Sequence, residues 1–180
     1  MGQDNKLLMT WRGKPLVAHV VDQLLTSSVA HVVVVTGHEQ EKLCAALGDR
    51  PVSYVSNPRF AEGLSTSLIA GIEAVPKDAD GVLVALGDMP RIDSGVIDRL
   101  VAAFNPAEGR SICLPVFAGN WGNPVLWGLS YLDQMAKLTG DAGARGLLQA
   151  NRNAIWEVAA GNDAVLADID TPEAFAALAE

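Results

Sequence analysis

The stretch Gly81-Val-Leu-Val-Ala-Leu-Gly-Asp-Met-Pro90 decides the fold. Residues 82–86 are an unbroken apolar run rich in Val and Leu, ended by Gly87, Asp88 and Pro90. A short apolar run bounded by turn residues predicts a strand buried on both faces, as in a parallel sheet. In open α/β sheets ligands bind beyond the carboxyl ends of the strands, so Asp88 stands where chemistry is expected. Gly87 lets a ligand approach the backbone, and Pro90 prevents the strand from continuing. A carboxylate with no basic neighbour in sequence suits a hard cation such as Mg²⁺ carried with phosphates. A strand-end turn or a helix cap explains the same spacing equally well.

The pattern repeats outward from this strand. Residues 31–37 form a second apolar run, with Gly37 placed like Gly87. Residues 52–56 and 155–158 read as short strands, and 165–170 as a last one. Residues 111–117 read as a strand broken by Pro115, hence at an edge or bulge. Helical spacing covers 16–25, opened by Pro15, and 39–47, stopped by Gly48. It recurs over 63–72, 94–104, 129–138 and 173–178. Strand and helix alternate, which predicts an α/β fold: a mostly parallel sheet with helices on both faces. No repeat or linker divides residues 1–180, so one domain is expected.

Composition narrows the function. Net charge is -8, which argues against nucleic acid and anionic membrane as partners. An anionic substrate would then need a local cation. Cys44 and Cys113 fit no metal motif and read as small buried residues in a reducing, cytoplasmic compartment. No apolar run is long enough to span a bilayer.

Several side chains stand out. Lys6 follows a polar start, although a lone lysine is most often a solvated one. Gly63, Ser65, Thr66 and Ser67 open a helix whose free N–H groups could hold an anion or the edge of a nucleotide. An ordinary Ser/Thr cap is the alternative. Gly- and Trp-rich residues 118–127 could be a substrate loop or plain turns. Asp141 and Arg145 are four apart and could be a local ion pair. His38 reads as a turn histidine, and His19 and His31 as structural. Asp168 and Asp170, two apart in a strand, would share a face, and a second carboxylate would complete a metal site begun by Asp88.

Seven stretches together resemble the nucleotidyltransferases of the molybdenum-cofactor family. They are Met-Gly-Gln-Asp-Asn-Lys-Leu-Leu, Val-Val-Val-Val-Thr-Gly-His, Asn-Pro-Arg-Phe-Ala-Glu-Gly-Leu-Ser-Thr-Ser-Leu, Leu-Gly-Asp-Met-Pro, Gly-Asn-Pro-Val-Leu-Trp, Gly-Asp-Ala-Gly-Ala-Arg and Asp-Ile-Asp-Thr-Pro-Glu. The third and sixth look most like the cytidylyltransferase branch, which joins CMP to molybdopterin. The resemblance implies a Rossmann-like fold of the nucleotide-diphospho-sugar-transferase type. It implies that Lys6 meets the NTP phosphates and that Asn57, Gly63, Ser65 and Gly87 border the nucleotide. Asp88 and Asp170 would hold Mg²⁺, with Asp168 a possible helper and Lys6 and Asp88 carrying catalysis. Asn123, Pro124, Asp141 and Arg145 would line the pterin side, although relatives often carry histidine where Asn123 stands. The expected partners are CTP, or GTP, and molybdopterin, with a molybdoenzyme as a possible acceptor. A guanylyltransferase, a transferase for another phosphorylated acceptor, and a non-catalytic nucleotide- or cofactor-binding chaperone are the alternatives. In the family a strand and a Leu-Ala-Ala-Gly-x-Ser-x-Arg loop precede the Met-Gly with which this sequence starts. A sheet without that strand is expected to carry a gap lined by unpaired backbone groups.

Overall fold

The computed structural model describes residues 5–141, 143–169 and 172–177. A single 3₁₀ turn, Lys6–Leu8, leads into a hairpin of β1 (Thr10–Trp11) and β2 (Lys14–Pro15). Arg12 and Gly13, both at positive φ, make its turn. Next come α1 (Leu16–Thr26), β3 (Val33–Thr36), α2 (Gln40–Leu47), β4 (Ser53–Ser56) and α3 (Leu64–Glu73). Then follow β5 (Gly81–Val84), α4 (Ser94–Ala103), β6 (Ile112–Phe117), β7 (Asn120–Trp121) and β8 (Val125–Gly128). The last elements are α5 (Leu132–Met135), α6 (Arg145–Ala150), β9 (Ile155–Ala159) and α7 (Pro172–Ala177). No helix among the described residues is long and apolar enough to cross a membrane.

The α/β architecture stands as read from the sequence, with a mixed sheet. β3 pairs parallel with β4, and β6 parallel with β9. β8 runs antiparallel to both β5 and β6, so β5 and β6 point the same way. The short β7 is antiparallel to β6. β8 is reversed because it returns from β6 through a tight turn, which an antiparallel partner can make and a parallel one cannot.

Three local expectations need correction. β6 is a central strand and not an edge, since it pairs with β7, β8 and β9. Pro115 is tolerated there because the β8 ladder ends at Cys113 and the β7 ladder begins at Val116, leaving it opposite no antiparallel partner. Residues 129–138 break into a 3₁₀ turn, Leu129–Tyr131, and the single turn of α5. Residues 165–169 form no strand: Asn162 accepts from the Ala164 N–H and starts the 3₁₀ turn Asp163–Leu166. Competition from a local side-chain acceptor is enough to divert so short an apolar run.

The ladders fall into separate sheets. Among the described residues β3 pairs only with β4, and β5 only with β8. The two helices α1 and α3 nonetheless reach both groups. Val34 of β3 packs with the α1 and α2 core, and Leu24 of α1 packs, as Leu83 and Leu86 do, against the cluster of Met89, Ile92 and Ile97. On the opposite face Gly71 of α3 lies against Val35, while Leu68 and Ile72 pack in the cluster that contains Val84. Alternate residues of β3 and of β5 thus meet a helix on either face, as the pleat requires. Among the described residues β3 and β5 are not paired with each other. Their exposure agrees: Val33–Val35 and Val82–Val84 are only half-buried, whereas all of β8 is buried.

Candidate active site

The site lies at the carboxyl ends of β3 and β5. Asn5 caps the Lys6–Leu8 turn with its side-chain oxygen, which accepts from the Leu7 N–H at 3.2 Å. Its amide group donates to the His38 carbonyl just past β3 at 3.4 Å. Leu7 packs over Gly87, where an added Cβ would come within 3.3 Å of the Leu7 Cδ2. The turn is therefore held from both strand ends.

This placement brings Lys6 and Asp88, 82 residues apart, into an ion pair with Nζ 2.6 Å from Oδ2. The Asp88 side chain is 15% exposed and that of Lys6 is 32% exposed. The basic partner that Asp88 lacks in sequence is supplied by the fold. The Asp88 carbonyl accepts from the Ile169 N–H at 3.0 Å. So the segment that carries Asp168 passes beside Asp88, although not as a strand; Asp168 itself is exposed. Asp170 lies outside the described residues. No cluster of three His, Cys, Asp or Glu side chains suited to a metal occurs among the described residues. The Lys6 ammonium on Oδ2 shows that the Asp88 carboxylate accepts a positive charge at this place. A metal there would complete its shell with phosphate oxygens and water.

The α3 entrance is built differently from the free helix end that the sequence suggested. Gly63 has φ of 115° and a Cβ at this position would lie 2.7 Å from Asp141 Oδ1 and 2.8 Å from the Gly140 carbonyl carbon. Asp141 Oδ1 accepts from the Leu64 N–H at 3.3 Å, and the Gly140 carbonyl from the Ser65 N–H at 3.1 Å. The protein's own carboxylate and carbonyl thus occupy the α3 N-terminus. Ser65 is buried, and so is Thr66. Asp141 and Arg145 do not pair; Asp141 precedes α6 and serves α3 instead.

Asn57 is 3% exposed and fully used. Its amide donates to the Thr66 and Ser67 hydroxyls at 2.9 and 3.0 Å, and its oxygen accepts from the Arg59 N–H at 2.9 Å. It fixes the loop 57–63 against α3. The Asn-Pro-Arg sequence signals this, since Asn commonly binds the N–H two residues on. Asn123 and Pro124 lie close to the segment that carries Asp88: the Asn123 N–H donates to the Val165 carbonyl at 2.9 Å, and Pro124 is buried and lines a small cavity with Ala85, Leu86 and Met89. Asn5 and Phe60 are two residues the sequence did not flag. Phe60 covers Gly37, where an added Cβ would lie 2.5 Å from the Phe60 Cβ, and its ring lies 5.9 Å from that of His38. The glycine after the β3 run was the available signal for that close approach.

Similar proteins agree with this architecture. Nicotine blue oxidoreductase of Paenarthrobacter nicotinovorans is 26% identical over 178 residues, 96% of this chain and 87% of the relative. The crystal structure of Rv0371c with manganese, from Mycobacterium tuberculosis H37Rv, superposes with a TM-score of 0.83 at 22% identity, covering 98% of this chain and 92% of that one. A nucleotidyl transferase from Methanothermobacter thermautotrophicus superposes at 0.83 with 23% identity, covering 96% and 82%. At such identities the two structures establish the fold. The family model for the MobA-like NTP transferase domain matches residues 1–155. The chain belongs to the MobA-like NTP transferase domain family, and it is an enzyme of nucleotidyltransferase type.

Proposed function

We propose that this enzyme transfers CMP from CTP to molybdopterin with release of pyrophosphate, in a Mg²⁺-dependent reaction in the cytoplasm. The observation that carries the reading is the meeting of Lys6 with Asp88 at the carboxyl end of β5. The family supplies the class of reaction. The resemblance of the Gly63–Leu68 and Gly140–Arg145 stretches to the cytidylyl branch supplies the base and the acceptor.

The step needs little covalent help from the protein. A phosphate oxygen of the acceptor forms a bond to the α-phosphorus of the NTP in line with the bond to the leaving pyrophosphate. That bond breaks with its electron pair kept by pyrophosphate. The attacking oxygen is already ionised near neutral pH, so no general base is required, and placement and charge stabilisation remain. Lys6 sets its ammonium against the triphosphate. Asp88, held by the Ile169 N–H at its carbonyl and by the buried Met89 and Pro90 after it, presents a fixed carboxylate. A bound divalent cation would neutralise charge on the phosphates, and Asp88, with Asp170, would hold it. Asn57 and the Asp141 cap keep the α3 entrance in shape beside the nucleotide. Asn123, Pro124 and Arg145 would face the pterin.

The test is pyrophosphate release with molybdopterin and a panel of NTPs. CTP should be the preferred donor, and Asp88→Asn should reduce turnover roughly a hundredfold or more while the protein stays folded. Unchanged turnover in Asp88→Asn removes the metal role. A preference for GTP, or for another phosphorylated acceptor, moves the reaction within the class. Nucleotide binding without turnover points to the chaperone reading.

The similarity to nicotine blue oxidoreductase over nearly the whole chain favours one second reading, a redox reaction on the same fold. Two-electron reduction of nicotine blue by the purified protein, at the expense of an added two-electron donor that is oxidised in equal amount, would support it, and pyrophosphate release without such reduction would remove it.

A further inference from the structure

The loop between β4 and α3 uses its polar side chains to hold one apolar ring in place. The Asn57 amide donates to the Thr66 and Ser67 hydroxyls, and its oxygen accepts from the Arg59 N–H. The Thr66 hydroxyl shares its hydrogen between the Arg59 and Gly63 carbonyls, at 3.0 and 2.9 Å. The Gly63 N–H donates to the Phe60 carbonyl at 3.4 Å, and the Arg59 guanidinium grips Glu62 at 2.7 Å. Phe60 is thus tied on both sides, yet it stays 43% exposed. Its Cβ lies directly over Gly37, and its ring lies 5.9 Å from that of His38, whose side chain is 60% exposed. Apolar surface left in water adds nothing to folding. A fixed ring with an open face is instead pre-ordered for an outside partner at little entropic cost.

Position points to the partner. His38 follows β3, and its carbonyl accepts from the side chain of Asn5, the residue before Lys6. The ring therefore stands on the β3 side of the Lys6–Asp88 pair, whereas Pro124 lies on the β5 side with Leu86 and Met89. Carboxylates near the ring are matched locally, Glu39 by Lys42 and Glu62 by Arg59. A neutral flat group suits this end of the site, and an anionic group suits the end at Lys6. A nucleoside triphosphate has those two ends.

We propose that Phe60, with His38 beside it, is the stacking platform for the base of the nucleotide whose phosphates reach Lys6. The inference deepens the nucleotide-binding reading given above and rests on it. Stacking accepts every base, because each has a π-face. Phe60 supplies affinity, and the choice between CTP and GTP is made elsewhere.

The experiment is a calorimetric titration of the full chain with CTP, GTP and inorganic tripolyphosphate. Phe60→Leu, which keeps an apolar cover on Gly37, should weaken both nucleotides about tenfold and leave tripolyphosphate unchanged. Phe60→Trp should retain nucleotide affinity, and its added indole emission should be quenched by CTP but not by tripolyphosphate. Unchanged CTP affinity in Phe60→Leu overturns the proposal and leaves the proposed reaction standing. An equal loss for tripolyphosphate also overturns it, since Phe60 would then only shape the loop. So does quenching by molybdopterin in place of CTP, which would put the ring on the acceptor side. A CTP-specific loss in a protein that binds nucleotide but transfers none keeps the platform and removes the proposed reaction. No CTP binding by the unaltered protein removes both.

Discussion

The strands β6 and β8 are buried, whereas β3 and β5, of similar Val- and Leu-rich composition, are only half so. Ile112 and Leu114 of β6 have 0% exposure, and Val125 and Trp127 of β8 have 5% and 1%. β6 is paired along both edges and β8 lies between β5 and β6. Among the described residues β3 and β5 each have one paired edge and a helix on each face, and their side chains are only half-buried. Apolar side chains therefore do not bury a strand unless its edges are covered as well. The open edges also explain why the Lys6–Leu8 turn matters: its contacts with Gly87 and the His38 carbonyl join the two groups at their carboxyl ends.

Truncating the two regions should give the largest contrast. Leu114→Ala should cost about 3 kcal/mol, as for a filled core site, and Val34→Ala about 1 kcal/mol, because its side chain is already partly in water. Urea denaturation of both variants checks this. Equal costs would mean that the edge of β3 is covered in solution.

Thiol labelling gives a second contrast. Cys113 of β6 is fully buried, and burial pushes its thiol up to about 11. Cys44 of α2 is half-buried. Near pH 8 a disulfide reagent should modify Cys44 in the native protein and Cys113 only on unfolding. Labelling of both at one rate would show that the region around β6 opens as readily as the region around β3.

The smallest effect concerns acid. Asp22 of α1 accepts from Arg50 Nε at 2.6 Å and from Lys14 Nζ at 2.8 Å, tying α1 to the segment before β4 and to the hairpin. Arg50 first, and Lys14 after it, lower its carboxyl from 3.8 to about 2. A depressed folded value stabilises the protein above about pH 4, and that contribution disappears as pH falls through about 2. Asp22→Asn should flatten this part of the pH–stability curve by under about 1 kcal/mol, since the pair is partly solvated. A curve of unchanged shape would remove Asp22 as the acid-sensitive tie of the more open region.

Elements with a strong periodic pattern and a stop residue were legible in the sequence. α1, α2, α3 and α4 and the apolar strands β3 and β5 all fall near their expected places. Asp88 likewise lies beyond the carboxyl end of β5, although the strand already ends at Val84, before the Gly87 and Pro90 that the sequence offered as its stop. Elements without such signals were not legible. Residues 165–169 carry an apolar pattern but follow the Asn162 cap, and Pro115 lies in a central strand because two partners divide the ladder around it.

The sequence by itself determined the class of fold, the strand end on which the chemistry centres, and the residue types available there. Local pattern and stop residues depend on neighbours in the chain, so they can be read from it. Tertiary structure alone decided who meets whom. It gave Asp88 the ammonium of Lys6, gave the α3 N-terminus the carboxylate of Asp141, and turned Asn57 inward to hold a loop. Each of these contacts joins groups by a distance of a few ångströms that no spacing along the chain encodes.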